Sequence, residues 1–133
     1  SATGRLRYSH PLHVDDVAVD NPELKIVICH IGNPWIRDCM EVVYKNKHVH
    51  ADVSGLVLGD FQEKFEQYML EQVHDMILYA GEPRYLLYGT DWPICSMKSY
   101  LKFVRSLNLP EKSMELIMWK TAAQLFKIDT GKA

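Results

Sequence analysis

His30 directly follows the apolar run Lys25-Ile26-Val27-Ile28-Cys29, and Asp91 follows Tyr85-Leu86-Leu87-Tyr88-Gly89-Thr90. An imidazole that titrates near neutrality and a carboxylate that binds hard cations are suited to moving protons beside a divalent metal. If the two runs are parallel strands, both groups fall at the carboxyl edge of a sheet, where α/β proteins place their chemistry. A structural role is open for each at this point. A histidine after a strand commonly serves packing, and an aspartate before Trp92-Pro93 suits a turn or a helix cap.

The elements that must position this pair are legible in the hydrophobic pattern. Leu24 to Cys29 and Arg84 to Tyr88 are too short for helices and read as strands buried on both faces, with Val49 to Ser54 between them as a third. Helical spacing joins Trp35, Ile36, Cys39, Met40 and Val43, then Phe61, Phe65, Met69, Val73, Met76 and Ile77, then Met97, Tyr100, Leu101 and Val104. Asp60 with Glu63 reads as a capping box for the long middle helix. A last helix should start near Pro110 and carry Met114, Ile117, Met118, Ala122 and Leu125 inward, and a short one should run from about Val14 to Val19. Helices alternating with strands imply right-handed parallel crossovers and an α/β fold. Neighbouring strands lie about 4.8 Å apart, so the first and third backbones should be on the order of 10 Å apart, and His30 and Asp91 can face one ligand. Both an open doubly wound sheet and a piece of a (β/α)8 barrel fit this order; no glycine-rich phosphate loop favours the former.

A chain of 133 residues, 47% hydrophobic, suits one domain over residues 1–133 with a real core. Its 15 basic and 17 acidic residues leave a net charge of -2 without single-sign blocks, so neither nucleic acid nor a membrane surface is the expected partner. Cys29, Cys39 and Cys95 all sit in apolar surroundings and read as reduced core thiols, which points to a cytoplasmic protein. The polar start SATGRLRYSHP is not a signal peptide, and the absent initiator Met is expected of a processed chain or a piece of a longer one.

The segments HPLHVDDVAVDNPELKIVICHIGNPW, HVHADVSGL and YGTDWP, in this order, resemble the C-terminal half of the amidohydrolase-related family, metal-dependent hydrolases and decarboxylases on a (β/α)8 barrel. The resemblance runs from about His10 to Ile128. It implies that the three strands are the sixth, seventh and eighth of the barrel, that Asp91 is a metal ligand, and that His30 is the acid/base or substrate-polarising group. It further implies a divalent metal, zinc first, with a small-molecule substrate attacked by metal-activated water or decarboxylated. The family's other ligands, an H-x-H and a further histidine, belong to sequence that would precede Ser1. A truncated barrel is therefore expected, one that by itself holds no metal firmly.

Other polar residues have simpler roles open to them. Asn33 and Trp35 are candidate substrate contacts, or else a turn and the first residue of a buried helical stripe. Asp52 and Ser54 approach the carboxyl edge, where Ser54 is a candidate substrate contact and both can equally hydrogen-bond His30 or the sheet wall. His48 and His50 imitate an H-x-H but lie at the wrong end of their strand. His10 and His13 suit a loop and helix start, and His74 a helix surface. Half a barrel would bare its inner face, with Ile26, Ile28, Leu87 and Gly89 on it, and leave two strand edges open. Self-association, or docking to a missing half, follows as the expected partner; a non-catalytic half-barrel module and a flavodoxin-like domain are the competing readings.

Overall fold

The computed structural model describes residues 3–58 and 63–131. Asp60, the expected N-cap, and Phe61 lie outside the described residues. The first helix, α1 (Leu12–Asp20), precedes strand β1 (Ile26–Ile28), and α2 (Ile36–Lys45) leads to β2 (Val49–Asp52). The long α3 (Glu63–Ala80) is followed by a 3-10 turn, Pro83–Tyr85, and β3 (Leu86–Leu87). After α4 (Met97–Arg105), the chain ends in α5 (Glu111–Glu115), a π-helical turn (Leu116–Lys120) and α6 (Thr121–Phe126).

The strands pair in parallel in the order β1-β2-β3. Their register aligns Ile26 with Val49, Ile28 with Ala51, and Ala51 with Leu86, so these residues share one face. That face meets Ala18 of α1, Val42 and Val43 of α2, Met69 and Val73 of α3, Phe103 and Val104 of α4, and Ile117 in a single hydrophobic cluster. Helices on one face only, with strands in chain order, are the wall of a barrel; a doubly wound sheet would carry helices on both faces and reverse its strand order. The architecture is α/β, half of a (β/α)8 barrel.

Helix spacing was a good guide to this core, since Ile36, Cys39, Met40 and Val43 are all buried in α2 and Tyr100 and Val104 in α4. Several expected core residues, Trp35, Phe65, Met97 and Leu101 among them, are not in it. Phe65 and Met97 are 47% and 56% exposed, each in the first turn of its helix, and Phe65 stacks on Tyr68 instead. The strands are shorter than expected. Leu24 is exposed in a turn closed by its own N–H on Asn21, and Arg84 and Tyr85 form the 3-10 turn.

Three details depart from the sequence expectation. Ile26 and Ile28 pack toward the helices, while Val27, His50, Asp52 and Leu87 occupy the other face, because regular alternation ends at Ile28 and cannot be extended to His30. The edge of β3 is partly closed, since the Tyr88 N–H donates to the carbonyl of Ile117 at 2.8 Å, in the π turn. A π turn disturbs the regular helical bonding and makes such a carbonyl available. Of the three thiols, Cys39 and Cys95 are buried but Cys29 is exposed. Among the described residues, no helix is long and apolar enough to cross a membrane.

Candidate functional site

At the end of β1 the chain turns sharply through His30, Ile31 and Gly32, whose φ angles are 58°, 46° and 71°. A left-handed conformation costs a non-glycine residue roughly 1–2 kcal/mol, more for a β-branched one. Ile31 is completely buried, and burying such a side chain contributes about 1.5–3 kcal/mol, enough to offset its own strain. Gly32 has no alternative, because a Cβ there would lie 2.7 Å from that of Cys39. The turn directs His30 across the carboxyl end of β2.

Its imidazole is met there by Ser54. Nδ1 of His30 lies 2.9 Å from the Ser54 carbonyl oxygen and 3.0 Å from its hydroxyl. A carbonyl only accepts, so Nδ1 carries the proton and Nε2 is left as the acceptor in the neutral ring. The His30 backbone N–H donates to Oδ1 of Asp52 at 3.0 Å, and the same oxygen accepts the Ser54 N–H at 3.0 Å and the Ser54 hydroxyl at 2.5 Å.

Asp91 arrives from the end of β3, one strand further along. It too has a left-handed backbone, φ 61°, and its carbonyl accepts the N–H groups of Ile94 and Cys95, which starts the next turn. Among the described residues its carboxylate makes no hydrogen bond or ion pair. Gly55 measures how closely the two groups converge. A Cβ on that residue would lie 2.5 Å from Nδ1 of His30 and 3.1 Å from Oδ2 of Asp91, so the imidazole and the carboxylate flank one point.

Of the candidate residues, His30, Asp91 and Ser54 are thus brought together. Ser54 is buried, its hydroxyl committed to Asp52 and His30. Asn33 and Trp35 lie to the side. Asn33 is exposed and closes the turn with its N–H on the His30 carbonyl, and Trp35 heads α2 with its ring 5.1 Å from that of His10. His10 accepts the first N–H of α1 and pairs with Asp38 at 3.2 Å, a capping role. His48 and His50 lie at the opposite end of β2. Two neighbours were missing from the expected site: Gly55, for which the sequence carried no sign beyond a glycine after Ser54, and Cys29. Partial burial first, then the charges of Asp52 and Asp91, push the Cys29 thiol pKa up.

As a metal site the arrangement is a fraction. A free carboxylate and an imidazole with an open Nε2 are suitable donors for a zinc- or manganese-like ion, but catalytic zinc usually has three protein ligands. Among the described residues no group of three or more His, Cys, Asp or Glu side chains is assembled to hold one. The chemistry of the donors fits; their number does not complete a site.

A family model described as Amidohydrolase matches residues 1–128. An uncharacterised TIM-barrel protein from Bordetella bronchiseptica is 25% identical, with a TM-score of 0.76 over 96% of this chain and 42% of its own. An amidohydrolase from Burkholderia multivorans with bound zinc is 20% identical, with a TM-score of 0.77 over 87% of this chain and 48% of its own. A dihydroxybenzoic acid decarboxylase from Polaromonas, with bound manganese and the inhibitor 2-nitroresorcinol, is 22% identical, with a TM-score of 0.63 over 94% of this chain and 40% of its own. The chain therefore spans less than half the length of each of these structures. No curated protein matches it.

Proposed function

The chain belongs to the amidohydrolase family, and from that premise we propose that it forms the part of a metal-dependent hydrolase or decarboxylase that contributes Asp91 as a metal ligand and His30 as the proton-handling group. The observation that carries this reading is the convergence of the two side chains over Gly55, each on a left-handed backbone. Strain of that kind persists only where the surroundings enforce it, and it concentrates at working sites. Nε2 of His30, left without the proton, can accept one from a nucleophile or, once protonated, donate to a leaving group or a developing oxyanion. A bound divalent ion, zinc in our reading, supplies Lewis acidity toward a carbonyl or carboxylate oxygen. The zinc and manganese bound by the Burkholderia and Polaromonas proteins support a divalent metal as the cofactor. The substrate is a small molecule with a carbonyl, lactone or carboxylate group. Asn33 and Trp35, beside the His30 turn, are proposed to contact it, with Ser54 reaching it through His30. Residues 1–133 act as one domain, in the cytoplasm, where an exposed thiol such as Cys29 stays reduced.

Calorimetric titration of the purified chain with zinc tests the reading. Weak binding is expected, because the ligand set is partial, and Asp91→Ala should weaken it at least tenfold. Equal binding by both proteins sinks the proposal.

A second reading has its own support in the sheet face that bears Val27 and Leu87, to which the helical cluster does not extend. In it, the chain is a non-catalytic half-barrel module that self-associates or docks to another half-barrel. Light scattering at micromolar concentration should then give a dimer or larger species; a monomer argues against it.

A further inference from the structure

We infer that Asp52 is a positioning residue for His30, fixing both the place of its imidazole and the nitrogen that carries the proton. This rests on the reading of His30 as the proton-handling group. Asp52 lies on β2, on the sheet face opposite the helical core, and touches His30 only through its backbone. One oxygen, Oδ1, gathers three donors: the His30 N–H, the Ser54 N–H and the Ser54 hydroxyl. Hydrogen bonds to a carboxylate are roughly twice as strong as neutral ones, so this oxygen is a firm anchor.

Two consequences follow from the donor and acceptor inventory. The bond to the His30 N–H joins residues 22 apart in sequence and ties the left-handed turn to β2 at the residue where the turn begins. The Asn33 N–H on the His30 carbonyl closes the turn on itself, whereas the Asp52 bond ties it to a neighbouring strand. The second consequence concerns the ring. An ionised carboxylate can only accept, so the single hydroxyl proton of Ser54 goes to Asp52 and the hydroxyl turns a lone pair toward Nδ1. Nδ1 then faces two acceptors, the Ser54 carbonyl and hydroxyl oxygens, and must hold the proton itself. Asp52 thereby leaves Nε2 without the proton. The Cys29 thiol lies near the same carboxylate and adds no competing charge while protonated.

The test uses nitrogen NMR of the chain labelled at histidine, at about pH 8, above the ordinary histidine range, together with amide exchange. The wild-type His30 ring should show a single tautomer protonated at Nδ1, and its backbone amide should be protected. Asp52→Ala should give averaged tautomers and exchange the His30 amide at least tenfold faster. Asp52→Asn, whose amide oxygen still accepts, should restore protection to within threefold of wild type. If Asp52→Ala does not fold, Ser54→Ala decides: it spares both the Asp52 bond to the His30 N–H and the Ser54 carbonyl, so the Nδ1 tautomer should persist and the amide stay within threefold, and tenfold faster exchange there would assign the anchor to Ser54 and overturn the inference. A wild-type ring protonated at Nε2, or a folded Asp52→Ala variant with unchanged ring signals, overturns the inference. Neither readout involves turnover or metal, so a chain that fails to bind zinc refutes the proposed function and leaves the role of Asp52 standing.

Discussion

His30 and Asp91 flank Gly55 from two strands that are not neighbours, with matching left-handed φ angles of 58° and 61°. Neither is glycine, and each stands at the carboxyl end of its strand. The third strand, between them, provides the floor: Ser54 and Gly55 follow β2, and Gly55 leaves the space that both side chains occupy.

Gly55→Ala should therefore damage the site and the fold together. The new Cβ would fall 2.5 Å from His30 Nδ1, at a residue whose own φ is 62°. Strain and overpacking together should destabilise the chain by about 2–4 kcal/mol. Urea denaturation measures this; a change under about 0.5 kcal/mol would mean that the three residues are not packed as described.

Asp91→Ala should separate function from stability. Its carboxylate is held by no side chain among the described residues, so its removal should change the unfolding free energy by no more than about 0.5 kcal/mol. The rise in melting temperature on adding zinc should vanish in the same variant. A large loss of stability without zinc would recast Asp91 as a structural residue.

Tyr100 staples the floor of the site from below. Its buried hydroxyl donates to the Val53 carbonyl and accepts the Leu56 N–H at 3.0 Å, and burial pushes its phenol pKa well up. Tyr100→Phe leaves both backbone groups unpaired, which should cost about 1–3 kcal/mol. Faster exchange of the Leu56 amide should accompany the loss. Unchanged exchange there would show that this loop is held by other contacts, such as Cys95 Sγ on the Val57 carbonyl at 3.3 Å.

His50 should make stability depend on pH. Burial first, then the nearby His48, Arg84 and Lys25, lower its pKa below the ordinary value of about 6.5. Above that value both folded and unfolded chains carry a neutral ring, and its contribution is complete. As pH falls below 6.5 the unfolded chain takes the proton first, so stability declines until the folded pKa is passed. Asp15, whose pKa Lys45 and Asn46 lower, loses its contribution only in the carboxylate range, near pH 4 and below. Melting curves from pH 7 to 5 should thus fall for the wild type and flatten for His50→Gln; parallel slopes would contradict the assignment.

Thiol labelling should distinguish the three cysteines. Cys29 is exposed, whereas Cys39 is fully buried with its pKa pushed up to about 12, and Cys95 is buried too. An aromatic disulfide reagent at pH 8 should modify one thiol quickly in the folded chain and all 3 in denaturant. Rapid loss of two or more in the folded state would place another thiol at the surface.

Much of this was readable from residue order. The strands could be found from Ile26-Val27-Ile28, Val49 to Asp52 and Leu86-Leu87, the crossover helices from their 3.6-residue spacing, and His30 and Asp91 from their place after apolar runs. Each of these is a local matter, since periodicity and strand ends are properties of a few consecutive residues. The face of β1 that holds Ile26 and Ile28, the exposure of Cys29 and the closing of the β3 edge by Ile117 were not. They depend on where alternation stops and on what packs from elsewhere in the chain.

The pairing of His30 with Asp91 belongs partly to each level. Chain order places both at one edge of a parallel sheet, because parallel strands bring their carboxyl ends together. Their convergence needs two left-handed residues, and such a backbone is held by partners distant in sequence. For His30 that partner is Asp52, 22 residues away, and the space that lets the ring approach Asp91 is the missing side chain of Gly55.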